Sequence, residues 1–194
     1  MQTLKENHVY QTELIIKKSR FITIAKKVSS KEELNDFLDR YSQKEARHNC
    51  YAYKIGIDPQ TGGYSDDGEP KNTAGMPLFK LIENKDLTNV VVLVIRYFGG
   101  IKLGAGGLIR AYTKAGTMVL DEASFHQIEE MWEIKISFDI NDIKSVDLFC
   151  LKHDLEVIDK EFLEQVSYTL LTDDKDISFD NLNIEVISRK KKYL

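Results

Sequence analysis

The sequence is short of the residues that fix or break a chain. Its two cysteines, Cys50 and Cys150, lie a hundred positions apart and neither belongs to a Cys-x-x-Cys pair, so a disulfide framework and a four-ligand zinc site are excluded as organising devices. Buried free thiols are expected instead. Three prolines in 194 residues leave no proline-rich linker or low-complexity tract. Long hydrophobic runs are missing too. The longest, Val90 to Ile95, falls far short of the roughly 20 residues that a membrane-spanning helix needs. Met1 to Tyr10 has no apolar stretch of the kind found in a secretory signal. The expectation is a cytoplasmic protein without membrane contact. With 42% hydrophobic and 30% charged residues, the chain can bury a stable core, which excludes disorder as its main state.

Glycine is absent after Gly116, and all 11 glycines fall between Gly56 and that position. Charge changes at the same place. Residues 1–116 carry 18 Lys and Arg against 13 Asp and Glu, whereas residues 117–194 carry 9 against 18, a net of −9. Four of those nine positive charges are Arg189, Lys190, Lys191 and Lys192. We therefore expect two domains, residues 1–129 and 130–194, joined without a long linker.

Periodicity gives the elements. Val9 to Ile16 and Ser19 to Lys27 read as a hairpin around Lys17 and Lys18. Ser29 or Ser30 ahead of Glu32 and Glu33 marks a helix start, and Leu34, Phe37, Leu38 and Tyr41 form its apolar stripe. Asn49 to Ile57 reads as a strand, Asp58 to Gly75 as a long surface loop, and Met76 to Glu83 as a short helix. Val90 to Ile95 fits a strand covered on both faces. A helix follows, with Leu108, Ala111, Tyr112, Ala115 and Val119 on one stripe. In the second part, Trp132, Ile134, Ile136, Phe138 and Ile140 alternate with polar residues as in a half-exposed strand. Asn141 or Asp142 can cap the next helix, with Ile143, Val146 and Phe149 or Cys150 inward. Strands at Leu155 to Phe162, Gln165 to Thr172 and Leu182 to Ser188 complete a small α+β domain of ferredoxin-like order, its second helix reduced or absent.

The most informative stretch is RYFGGIKLGAGGLIRAY, residues 96–112. Gly99, Gly100, Gly104, Gly106 and Gly107 stand at a strand-to-helix junction, with Arg96, Lys102, Arg110 and Lys114 around them. That composition suits backbone amides presented to phosphate at a helix start. It equally suits a tight turn with close helix-sheet packing. Neither the dinucleotide nor the Walker order is met, so no nucleotide cofactor is expected. In SDDGEP, residues 65–70, Asp66, Asp67 and Glu69 flank a glycine on an expected exposed loop, where they could hold magnesium or remain solvated. The alternation of a calcium loop is missing. His48 and Cys50 share a strand face about 7 Å apart, too far for the hydrogen bond of an activated thiolate. Tyr51 and Tyr53 could stack on bases or belong to the core. His8, His126 and His153 are scattered, and no metal cluster is visible.

RHNCYAY at 47–53, SDDGEP at 65–70, TAGMP at 73–77 and VIRYFGGIKLGAGGLIRAY at 94–112 together resemble the IMPACT family, in its bacterial YigZ-like branch. The resemblance implies an N-terminal domain like domain two of ribosomal protein S-five and a C-terminal domain like the last domain of elongation factor G. Relatives usually have a second helix before the last strand; here Asp173 to Asn183 is too short and acidic for one. For this branch the resemblance implies a regulatory role linked to nucleic acid or the ribosome, without an established enzyme activity. The expected function is thus non-enzymatic binding of RNA or a ribosomal component through the basic glycine-rich junction. Two alternatives stand beside it. One is a magnesium-dependent enzyme acting on a phosphorylated small molecule; the other is an adaptor whose acidic C-terminal domain receives a protein partner.

Overall fold

The structure, a computed structural model, describes residues 1–5 and 8–193. Its contacts divide the chain into two compact units, Met1–Gln127 and Ile128–Leu194.

The first unit opens with β1 (Gln2–Leu4), β2 (Val9–Ile16) and β3 (Ser19–Lys27). Lys17 and Lys18 make the hairpin turn between β2 and β3, both with positive φ, the mirror-image turn whose twist suits a two-residue hairpin. Helix α1 (Lys31–Tyr41) follows. The Ser30 hydroxyl accepts the Glu33 amide at 3.2 Å, while the Glu33 carboxylate accepts the Ser29 amide at 2.7 Å, so two otherwise orphaned donors are satisfied. Next come β4 (His48–Ile55), β5 (Thr61–Ser65), α2 (Gly75–Asn84), β6 (Val90–Tyr97), α3 (Ala105–Asp121) and β7 (Phe125–Gln127).

Five strands form one antiparallel sheet in the order β2-β3-β6-β4-β5, and β1 pairs separately with β7. The central strand β6 is buried from Val90 to Arg96. Its even-numbered residues Val90, Val92 and Val94 join Leu78, Leu108, Tyr112 and Val119 of α2 and α3; Val91, Leu93 and Ile95 join Leu34 and Phe37 of α1. The sheet is therefore sandwiched between helices, each buried Val, Leu or Ile contributing about 1.5–3 kcal/mol. The unbroken apolar run follows directly from burial on two faces.

Two expectations for this unit are corrected. The stretch from Asp58 to Gly75 is no continuous loop, because Thr61–Ser65 adds β5 to the edge of the sheet. Gly62 and Gly63 hide it from pattern reading: an added Cβ would meet Phe79 or Tyr53 at 2.8 Å, so these positions are kept small by neighbouring rings. The pair β1 and β7 is also unanticipated, each strand having only three residues.

The second unit comprises β8 (Glu130–Phe138), α4 (Ile143–Lys152), β9 (Glu156–Phe162), β10 (Val166–Thr172) and β11 (Ile184–Tyr193). All neighbours are antiparallel, in the order β11-β8-β10-β9. Ile134, Ile136, Phe138, Val146, Cys150 and Tyr168 centre its core. Ile140 leaves the expected alternation, standing 62% exposed in a short 3-10 turn. That turn is capped by Asp139, whose carboxylate accepts the Asn141 amide at 2.8 Å, while Asp142 stands at the N-cap position of α4, as expected, without a side-chain hydrogen bond there. β11 runs five residues beyond the expected Ser188, because the basic run pairs along β8: Lys191 meets Glu130 at 2.9 Å, and Lys192 also pairs with Glu133. No helix occupies 173–183.

Candidate functional site

β6 leads out of the sheet into the glycine-rich junction, and its last inward residue on the α2/α3 side is Arg96. Register places Arg96 directly between Phe21 on β3 and His48 on β4. Arg96 is only 5% exposed, so its charge is largely withdrawn from water. Glu69 neutralises that charge, meeting Arg96 Nη1 at 2.5 Å and accepting the Tyr112 hydroxyl at 2.8 Å on the same oxygen. Arg96 Nε is buried without a hydrogen-bond partner.

The turn that brings Glu69 here is built by its two neighbours. Asp66 accepts the amides of Asn72, Ala74 and Gly75 at 2.7, 3.0 and 2.8 Å, holding the start of α2. Asp67, at φ 38°, accepts the Asn49 amide with its side chain. Asp67 also supplies the carbonyl that lies 2.7 Å from His48 Nδ1. A carbonyl only accepts, so Nδ1 carries a proton and donates. The other ring nitrogen, Nε2, lies 3.8 Å from Glu69 Oε2, beyond hydrogen-bond range. Gly68 has φ 80°, the left-handed conformation that favours glycine in this turn.

His48, Glu69 and Arg96 line a cleft of about 420 Å³. Arg47, Pro70, Phe98, Lys102, Leu103, Gly104, Ala105 and Leu108 complete its lining. Arg47 and Lys102 are exposed. α3 starts here from Gly104, at φ 71°, with no side chain capping the helix. The amides of Ala105, Gly106 and Gly107 precede the first helical hydrogen bond, which Leu108 donates to the Gly104 carbonyl at 2.9 Å. Uncapped amides and the helix dipole make that corner attractive to an anion.

The sequence-nominated residues separate into groups. Arg96, Glu69, His48, Lys102 and Gly104 line the cleft, so the acidic turn and the glycine-rich junction do meet. Arg110 does not line it; it is exposed further along α3. Gly99 serves packing, since a Cβ there would lie 2.0 Å from the Lys18 backbone. Gly100 answers to backbone conformation, at φ 84°. Gly106 has open space before it and no positive φ, so neither packing nor conformation demands glycine. Gly107 meets Leu103 at 3.2 Å.

Three sets of alternatives are decided by these positions. In the acidic loop Asp67 is exposed, but Glu69 does not remain solvated, being 8% exposed and paired with Arg96. Nor do Asp66, Asp67 and Glu69 converge on a cation: they hold α2, β4 and Arg96 respectively, and among the described residues no carboxylate-rich group fit for a metal ion occurs. For Tyr51 and Tyr53 the core alternative holds: they point to the opposite face of the sheet, where they pack beside the α1 core and Lys31 stands 3.8 Å over the Tyr53 ring. Strand alternation, which puts His48 and Cys50 on one face, forces these tyrosines to the other. Sequence reasoning missed Phe98, Arg47 and the polar role of Tyr112. Phe98 lies inside the quoted motif, one residue past β6. Tyr112, on the apolar stripe of α3, carries a hydroxyl whose need for a buried partner was the available signal.

Fold and site together define a mixed α/β protein whose first unit carries a cleft with a buried ion pair beneath an uncapped helix start. The model of the Impact N-terminal domain matches residues 17–120, which contain every residue lining that cleft. YvyE of Bacillus subtilis is 46% identical over 105 residues, 53% of this chain and 48% of that protein. The chain spans about half the length of such first-matched curated relatives. YigZ of Escherichia coli is 31% identical over 76% of this chain and 74% of its own. A solved structure described as a hypothetical protein superposes with a TM-score of 0.63 at 28% identity, covering 88% of this chain and 85% of the other. The chain belongs to the IMPACT family, in its YigZ-like branch. Among the described residues no helix is long and apolar enough to cross a membrane.

Proposed function

We propose that this chain is a non-enzymatic regulatory protein associated with translation, binding RNA by its phosphates at the start of α3. The carrying observation is the uncapped helix start at Gly104, opening onto the cleft beside exposed Lys102 and Arg47. Membership of the family supports the translation-linked part of the reading. The excess negative charge of residues 117–194 suits a footprint confined to the first unit, since it repels a polyanion elsewhere. The architecture supports a related proposal about folds. The strand order β11-β8-β10-β9, all antiparallel, suits a ferredoxin-like domain akin to the last domain of elongation factor G, and the first unit is proposed to resemble domain two of ribosomal protein S-five. The domain division is proposed to fall near residue 130.

The magnesium-enzyme reading loses its support, because its carboxylates are engaged within the protein. Fluorescence anisotropy with labelled single-stranded RNA, over a series of salt concentrations, tests the RNA reading. The expected result is salt-dependent binding whose log–log slope falls by about 0.7 in Lys102→Ala, one phosphate contact being lost. Unchanged affinity and slope in that variant would remove the helix start as the phosphate site.

A further inference from the structure

Resting on that phosphate reading, we propose that the cleft seats one unpaired nucleotide, its base against Phe98 and its phosphate at the start of α3. A phosphate alone would use only the basic corner of the cleft. Much of the remaining lining is apolar, made by Phe98, Leu103, Leu108 and Pro70. Phe98 is 43% exposed although it directly follows the most buried strand of the sheet, so a large aromatic surface is left at the cleft where burial was within reach. The Arg96 guanidinium, 5.6 Å from the ring centroid, holds a cation beside it. A ring presented in this way is a stacking platform, and only an unpaired, unstacked base can offer its face to it.

The polar lining supplies an independent observation. His48 is 9% exposed, with Nδ1 engaged by the Asp67 carbonyl and Nε2 without a hydrogen bond. Nε2 of His48 and Oε2 of Glu69 lie 3.8 Å apart in the lining of the cleft. The contacts of Glu69 engage its Oε1, and among the described residues no hydrogen-bond donor reaches Oε2, which leaves that oxygen free to accept from a donor on a ligand. The hydroxyls of a ribose or the amino group of a base provide it. The volume of about 420 Å³ falls within the range of small-ligand sites. An exposed aromatic ring, a free carboxylate oxygen and a basic corner thus match the three parts of a nucleotide.

Calorimetric titration of the full chain with adenosine 5′-monophosphate, ribose 5-phosphate and inorganic phosphate tests this. The monophosphate is expected to bind about tenfold more tightly than ribose 5-phosphate, the contribution of one stacked base. Phe98→Ala should bring it down to the level of ribose 5-phosphate while leaving the latter unchanged, and Phe98→Trp should retain the advantage. Because Phe98 is partly exposed, both variants keep the core intact. Equal affinity for the monophosphate and ribose 5-phosphate would overturn the base seat and leave the phosphate reading standing. An unaffected Phe98→Ala variant would likewise overturn it. No binding of any of the three would overturn the phosphate site along with the base seat.

Discussion

Cys50 shows how a residue's chemistry is set by its surroundings. Its thiol donates to the Asp66 carbonyl at 3.0 Å and lies 3.3 Å from the Tyr112 hydroxyl oxygen. Burial, followed by the nearby carboxylates of Glu69, Asp67 and Asp66, pushes the thiol well above its ordinary value of 9.0. Burial also raises the Tyr112 hydroxyl above 10.0. These groups are buried and protonated, not nucleophiles. Below about pH 9 the folded and unfolded chains both hold the Cys50 proton, so its contribution to stability is fully present. As pH rises above that value the unfolded chain releases the proton and the folded chain does not. Stability then falls by up to about 1.4 kcal/mol per pH unit for this thiol. Cys150, raised by burial in the second unit, adds in the same direction. Urea unfolding at pH 8 and pH 10 should show the loss, and Cys50→Ala should show a smaller one; equal losses would mean that the thiol is not the titrating group.

At the scale of an element, α3 carries both the core and the candidate site. Leu108, Ala111, Tyr112, Ala115 and Val119 are buried along one stripe, as their spacing foretold. Its first turn obeys a different rule, because glycine at Gly106 weakens a helix without a packing or conformational return. Gly106→Ala is therefore expected to stabilise the protein by about 0.5–1 kcal/mol, read from the shift in its urea midpoint. A decrease in stability would show that the fold itself requires this glycine. The preceding acidic turn works in the opposite sense. Burying Glu69 beside Arg96 contributes little net stability, yet breaking such a pair costs about 3–5 kcal/mol, which ties the turn firmly to the end of β6.

Across the whole molecule, each unit has its own hydrophobic core, centred on Val92 and Tyr112 in one and on Ile136 and Tyr168 in the other. Ile136 is fully buried, so Ile136→Ala is expected to cost about 2–5 kcal/mol. With independent cores, hydrogen exchange should accelerate in Ile128–Leu194 alone, and RNA affinity at the cleft should be retained. Acceleration spreading through Met1–Gln127 would instead show one cooperative unit.

Local pattern determined much of this protein. The β2–β3 hairpin, the stripes of α1 and α3, the doubly covered β6 and the strands of the second unit follow from periodicity, because side-chain direction repeats with backbone geometry. The family motifs named the residues at 47–53, 65–70 and 94–112 that surround the cleft. Their arrangement was decided only by tertiary structure. Register across β4 and β6 put His48 opposite Arg96, and the turn at Asp67 and Gly68 folded Glu69 beneath them. Glu69 of the acidic loop thereby became a buried counter-ion, and Arg96 of the basic junction was neutralised by it. Strand alternation sent Tyr51 and Tyr53 away and left Phe98 as the aromatic of the cleft. A charge in a sequence has no partner until the chain folds, and whether water or a counter-ion surrounds it sets its role.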